Sequence, residues 1–437
     1  MDTKKDIKEI LTEQFEQFEN ALNGQSQTSL HQVRKSAMAS FEKLGFPDKT
    51  NEFYKYSTLA IALSKEFDFT QILTKKSTEF EGDVNDFFIA GLEAHVVVLV
   101  NGKFSEKHSE IQDTEGLEIL SFSGAYKKNK ALVERHFSKY AEDKNDAYTA
   151  LNTAFFEDGV FIKVSNNVIV EKPIIIYHIT DNQEIIQTRN LILVGKSSQV
   201  DVIENYISIS EENNFSNVVS EIVLEENATV DHYKLQLKNK QAYHVGNTQV
   251  YQTNNSNFTD FTISLQGQLL RNNLNIVSDG ENCETNMYGL YLPKGKQQVD
   301  NYTVVDHKKP NSYSNELYKG ILDEKSTGTF NGKIYVQQAA QKTNAFQSNK
   351  NILLSDDATI NTKPQLEIWA DDVKCSHGTT TGQLDDEQMF YLRSRGLSKE
   401  SARSMLLYAF ALEVVENIKI EPLKNYIDKH IYKIFNQ

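Results

Sequence analysis

A mainly β fold, with a parallel β-helix (β-solenoid) between helical ends, is the architecture this 437-residue sequence predicts. Three observations carry it. From 159 to 382 the chain runs through short apolar stretches of strand length, VFIKV, VIV, IIIYHI, LILV, VDVI, EIVL and TVDHYKLQL, separated by polar turns rich in Asn, Asp, Ser and Gly. Three segments, ILVGKSSQVD (192–201), IVLEENATVD (222–231) and ILLSDDATIN (352–361), share one frame: three apolar residues, a four-residue polar step, a variable position, then a β-branched residue and Asp or Asn. Helical periodicity is confined to the two ends.

Such a repeat implies stacked rungs, because one rung cannot bury its apolar side alone. Rungs then lie about 4.8 Å apart, inward Ile, Leu and Val form a continuous dry column, and Asn or Asp suits the turns by tolerating left-handed backbone. A sandwich or barrel also fits evenly spaced short strands; the repeat favours the solenoid. The organisation read from these shifts is an N-terminal helical and mixed region, 1–155, a β-helix core, 156–384, and a C-terminal helical region, 385–437.

In chain order, Ile7, Ile10, Leu11, Phe15, Phe18 and Leu22 recur at helical spacing. A second helix follows in SLHQVRKSAMASFEKLG, with Ser29 as cap and Gly45 and Pro47 as the stop. HVVVLVNGKF reads as a strand closed by an Asn-Gly turn. After the core, Asp385 caps DEQMFYLRSRG, with Gln388 three residues on and Gly396 as its end. Ser398 opens a longer helix whose expected apolar face is Ala402, Met405, Leu406, Ala409 and Phe410. Past Pro422, Leu423, Tyr426, Ile427, Ile431 and Ile434 mark a final amphipathic helix.

A formal charge of -14 argues against gripping a nucleic-acid backbone. Cys283 and Cys375 stand far apart, so no disulfide framework is on offer; a reducing compartment, the cytoplasm, is expected. The N-terminus lacks the apolar core of a signal peptide, and the most apolar run, HVVVLV, falls far short of the about 20 residues that span a bilayer. Neither export nor a membrane is expected.

Self-sufficient catalytic motifs are missing. GKSS at 195–198 would need a glycine where Asn190 stands to wrap a phosphate, and Gly102-Lys103, Gly295-Lys296 and Gly332-Lys333 lack it too. There is no G-x-S-x-G, H-E-x-x-H or C-x-x-C. His95, His178, His232 and His307 lie on or beside apolar strands and read as structural, Cys283 as an unreactive thiol, and Trp369 as core or interface.

That leaves Cys375-x-His377. A thiol is often only a small buried hydrophobe. In an extended segment, however, residues i and i+2 share a face, about 6.5 to 7 Å apart. Thiolate and imidazole both ligate iron or zinc, yet a closed site takes about four ligands. If metal is held here, the missing ligands come from a second subunit.

The stretch from DHKKPNSYSNELYKG through TKPQLEIWADDVKCSHGTTTGQLDDEQMFYLRSRG to LLYAFALEVV (306–415) closely resembles the SufB/SufD family of iron-sulfur cluster assembly proteins. The resemblance extends more loosely to GFPDKTNEFYKYSTL (45–59) and LNTAFFEDGVFIKV (151–164), and the ending AFALEVVENIKIEPLKNYI is similar to the SufD branch. It implies a right-handed parallel β-helix and a non-catalytic scaffold that pairs with a SufB-like subunit, ATP hydrolysis belonging to a separate SufC-like chain. It also implies that Cys375 and His377 lie at the SufB contact, where a transient iron-sulfur cluster is shared, and that helices within about 385–420 dock the ATPase. No cofactor is then held stably by this chain alone, and a homodimer can form in isolation. The sequence departs from the family in having Gly-Thr-Thr-Thr-Gly after the histidine where Gly-Ala-Thr-Val-Gly is common, which leaves thiol and imidazole untouched. Two rivals remain open: a carbohydrate-active β-helix enzyme using paired carboxylates, opposed by the single tryptophan, and an inert homodimeric structural protein.

Overall fold

The computed structural model describes residues 6–21, 28–73, 83–181 and 185–436. Helices α1 (Ile7–Ala21), α2 (Ser29–Leu44) and α3 (Leu59–Glu66) open it. α1 buries Leu11 and Phe15, with Ile7, Ile10 and Phe18 at the margin; Leu22 lies outside the described residues. α2 is capped by Thr28, whose hydroxyl accepts from the His31 N–H, so Ser29 is the first helical residue rather than the cap. Gly45 ends α2 at φ 62°, a left-handed stop.

Strands β1 (His95–Val100) and β2 (Lys103–Phe104) form the expected hairpin. Asn101 and Gly102 both take positive φ, 50° and 81°, as the tight turn favoured by Asn-Gly requires. Next come β3 (Leu117–Ser121), α4 (Phe122–Lys128), α5 (Lys130–His136) and α6 (Ala147–Phe155).

The chain then coils into a solenoid of about 8 turns. Its even strands are β4 (Val160–Val164), β6 (Ile185–Val194), β8 (Asn214–Leu224), β10 (Ala242–Gln252), β12 (Leu269–Ser278), β14 (Gln298–His307), β16 (Thr327–Val336) and β18 (Thr359–Ile368). Its odd strands are β5 (Ile174–Thr180), β7 (Gln199–Ser208), β9 (Thr229–Leu237), β11 (Asn257–Gln266), β13 (Glu284–Tyr291), β15 (Tyr313–Leu322), β17 (Asn344–Leu353) and β19 (Lys374–Gly382). Odd strands continue from β1 and β2 as one sheet and even strands continue from β3 as the other, so both sheets reach back before residue 156. VIV at 168–170 supplies only an isolated bridge, Ile169 to Gln199.

Each solenoid strand pairs in parallel with the strand one rung on, as Ile192 with Ile222 and Asp201 with Asp231 show. The first two repeat copies therefore stack directly. The third, 352–361, turns the opposite corner, from β17 into β18, and shares only the corner chemistry. Asn167, Asn227, Asn255, Asn282 and Asn311 turn corners in left-handed backbone, where a short amide side chain can bond locally.

The interior is dry along one side only. An apolar column runs from Val97 through Ile192, Val230 and Leu274 to Phe330. Beside it, inward positions carry a buried polar network instead of the continuous aliphatic filling expected. Glu204 accepts from His178 and His232 at 3.1 and 3.0 Å, and His232 also meets Asp260 at 2.7 Å. Burial alone would raise the Glu204 carboxyl, but these two imidazoles hold it well below the ordinary range. The histidines are thus structural parts of a buried network in which hydrogen bonds offset lost hydration.

Helices α7 (Asp386–Ser394), α8 (Lys399–Val415) and α9 (Glu421–Phe435) end the chain. Asp385 accepts from the Glu387 and Gln388 N–H groups, Gly396 turns at φ 92°, and Ser398 accepts from the Ser401 N–H. α8 and α9 lie on the outer face of the odd-strand sheet, where Leu407, Val414, Leu423 and Ile427 join a core with Ile203, Tyr233, Phe261 and Ile321. The buried side of α8 is therefore Ala402, Leu407, Ala411, Val414 and Val415. This corrects the expected face: Met405 and Ala409 are exposed, and Leu406 and Phe410 only half-buried. The helix carries two apolar stripes, and the sheet selects one. No described helix is long and apolar enough to cross a membrane.

Candidate functional site

The odd-strand sheet ends on β19 and the even-strand sheet on β18, so two neighbouring edge strands close the same end of the solenoid. No described strand pairs with their outer edges. β19 is exposed at every residue but Cys375, and β18 is at most half-buried. Long edges of this kind are what proteins ordinarily cover or blunt.

Cys375 pairs in register with Ala345 and His377 with Gln347, both buried inward-facing residues of β17. Thiol and imidazole therefore share the face that lines the solenoid mouth, separated by one strand repeat, about 6.5 to 7 Å. Cys375 is half-buried against the small cluster of Ile334, Val336, Ala340 and Ala345. Burial pushes its thiol up, with the Ala345 N–H opposing weakly, so the protonated form is favoured in the isolated chain. His377 is exposed, and its imidazole makes no hydrogen bond to a described residue. Among the described residues no three His, Cys, Asp or Glu side chains gather as a metal site. A closed tetrahedral metal site takes about four donors, and this pair offers two, next to the uncovered edge.

The other sequence candidates fall elsewhere. Cys283 is buried, its thiol donating to the Thr253 carbonyl at 3.2 Å. His307 Nε2 meets the Ser314 hydroxyl at 2.9 Å, and burial pulls the ring down to about 4, keeping it neutral. Trp369 is not core: half-exposed beyond β18, it stacks on Tyr335 with ring centres 6.0 Å apart. Asn190 sits buried in β6 and accepts from the Val160 N–H, far from any phosphate loop.

Sequence reasoning overlooked a second feature. Phe390 and Tyr391 of α7 are 75% and 57% exposed, and Met405 of α8 is 56% exposed. Phe390 and Tyr391, with Leu392 and Leu406, line a wide groove of about 800 Å³. The signal was the run MFYL at 389–392, which puts apolar groups around a full helical turn when burying one face needs fewer.

Comparison with known proteins gives consistent matches. A family model described as the SufBD core domain of the SUF system for FeS cluster assembly matches residues 177–410, and one for the SufBD N-terminal region matches 5–176. An iron-sulfur cluster assembly SufBD family protein of Synechocystis is 31% identical over 92% of this chain and 90% of its own length. Iron-sulfur cluster assembly protein SufD of Escherichia coli is 30% identical over 88% of each chain. The protein of that name in Bacillus subtilis is 26% identical over 72% of this chain and 73% of its own.

Proposed function

The chain belongs to the SufBD family of the SUF iron-sulfur cluster assembly system, as a SufD-like member, and from that premise we propose that it is a non-catalytic scaffold subunit whose open solenoid end pairs with a SufB-like subunit. The observation that carries this reading is the uncovered pair of edge strands presenting Cys375 and His377. A strand from a partner can extend either sheet by main-chain hydrogen bonding, which brings the partner's donors to a thiol and an imidazole that are two ligands short. The nascent cluster is then cargo held across the seam, and the Cys375 proton leaves as iron binds.

In the same reading the exposed stripe of Phe390, Tyr391 and Met405 docks a SufC-like ATPase. α8 and α9 carry its motion to the solenoid through Lys419 with Asp231 at 2.7 Å and Glu413 with Lys350 at 3.0 Å. The chain works in the cytoplasm and can form a homodimer when its partners are missing. Family membership sets aside the carbohydrate-active alternative.

The test is reconstitution of the full chain with SufB and SufC, using light scattering to follow the complex and anaerobic absorption to follow the cluster. His377→Ala should leave the complex intact and lower cluster formation at least about tenfold, the scale of losing a metal ligand or its positioning. Unchanged cluster formation removes the residue from the mechanism; failure of the wild-type chain to bind SufB removes the seam and leaves the inert homodimer.

A further inference from the structure

We propose that a groove on the outer face of the even-strand sheet is a binding site for a small ligand ending in a carboxylate, a function separate from the scaffold seam. The groove, about 310 Å³, lies between β10, β12 and β14 on one side and the segments around Tyr54 and Asp146 on the other.

Arg271 of β12 is its centre. The residue is 2% exposed, and its guanidinium carbon lies 4.5 Å from the ring centre of Tyr54 and 5.3 Å from that of Tyr302. Nε donates to Asn273 Oδ1 at 2.7 Å, the one hydrogen bond its side chain makes among the described residues. Asp300 stands opposite it in the ladder but accepts from Gln298 Nε2 at 2.9 Å and makes no ion pair with Arg271. A guanidinium this buried is normally paired; here the η nitrogens line the groove without an acceptor.

A second unpaired donor adjoins the guanidinium. The Asn273 amide nitrogen, next to Arg271, also makes no hydrogen bond to a described residue. Asp146 takes the Tyr54 hydroxyl on Oδ1 at 2.5 Å and the Thr149 N–H and hydroxyl on Oδ2, each at 2.8 Å, whereas the buried Asp300 Oδ2 has no hydrogen-bond partner among the described residues. Asn247 Oδ1 takes Gln249 Nε2 at 2.7 Å. What complements an unpaired planar fork and a neighbouring amide donor is a planar, bidentate acceptor, and a carboxylate matches that geometry. Asp146 and Glu142 at the groove oppose a doubly charged phosphate, so a single negative charge fits better. The remaining volume, lined by side-chain amides and tyrosine rings, suits a body with amide or hydroxyl groups. A free N-acylated amino acid and the C-terminus of a polypeptide both carry that chemistry.

The test is calorimetric titration of the full chain with N-acetyl-dialanine, with its C-terminal amide, and with an eight-residue peptide of the same ending. The free acid should bind saturably and the amide at least about tenfold more weakly. Tighter binding of the long peptide identifies a polypeptide end as the source, and binding of the short acid alone a free small molecule. Arg271→Met should abolish the signal. Asn273→Asp keeps both ring contacts while setting a carboxylate against Arg271, and should weaken binding equally, which decides the matter if the first variant folds poorly. No saturable binding by either acid up to about 10 mM, equal binding of acid and amide, or undiminished binding in both variants overturns the site and shows that Arg271 only pins the Tyr54 segment.

Discussion

Asp201 lies on β7 directly beside Asp231 of β9, under the turn that joins α8 to α9. Lys419 in that turn gives its ammonium to Asp231, and Asp201 makes no ion pair among the described residues. Burial first, and the Asp231 charge second, push the Asp201 carboxyl from 3.8 up to about 6, with Lys419 pulling the other way. An acid whose folded value is raised holds more protons in the native than in the unfolded chain between those two values. Its contribution to stability is complete below about pH 4, declines as pH rises through about 6, and is lost above that. A gap of roughly two units is worth at most about 3 kcal/mol at neutral pH, and about 1 to 2 kcal/mol once solvent screens the half-buried site. Asp201→Asn preserves shape and deletes the charge. It should therefore stabilise the chain by about 1 to 2 kcal/mol at about pH 8, with the advantage shrinking steadily below about pH 6. Urea unfolding followed by circular dichroism at about pH 5, 6, 7 and 8 measures the difference. A difference that does not change with pH, or a variant less stable at pH 8, refutes the reasoning.

Three further outcomes follow from the same geometry. Glu221 takes Arg189 Nη2 at 2.7 Å and the backbone N–H groups of Ser138, Tyr140 and Ala141. Glu221→Ala should thus cost about 3 to 5 kcal/mol and Arg189→Ala clearly less, since the carboxylate keeps three donors; equal urea midpoints would contradict this. The Lys374 N–H points to β17, and alternation along a parallel strand turns the Thr379 N–H to the free edge, so Thr379→Pro should spare the monomer but prevent strand addition by SufB. Light scattering of the mixture reads the result, and an intact complex would argue against pairing through β19. Phe390→Glu on α7 should weaken SufC binding at least about tenfold, the scale of an aromatic anchor, without moving the melting temperature, because the side chain is 75% exposed; unaltered binding in a pull-down would place the ATPase elsewhere.

What the sequence shows of Cys375 and His377 is decided locally. Cys375 and His377 share a face because strand side chains alternate, a property of two positions and nothing more. What spacing could not supply was the surroundings. The Phe390 stripe reads as ordinary helix, since nothing within α7 says which apolar groups a sheet will cover. Arg271 reads as one more charged residue in a strand, because the tyrosines stacked on it come from β14 and from a segment more than 200 residues earlier.

By itself the sequence determines the caps at Asp385 and Ser398, the Asn101-Gly102 turn, the left-handed corners and the parallel rungs, all of which depend on residues a few positions or one coil apart. Tertiary packing alone decides which stripe of α8 is buried, how far polar groups fill the interior beside the apolar column, and that both sheets end uncovered at the same place. The reason is physical: a turn or cap is satisfied by its own neighbours, whereas burial and exposed edges are properties of what the rest of the chain lays against a residue, or leaves bare.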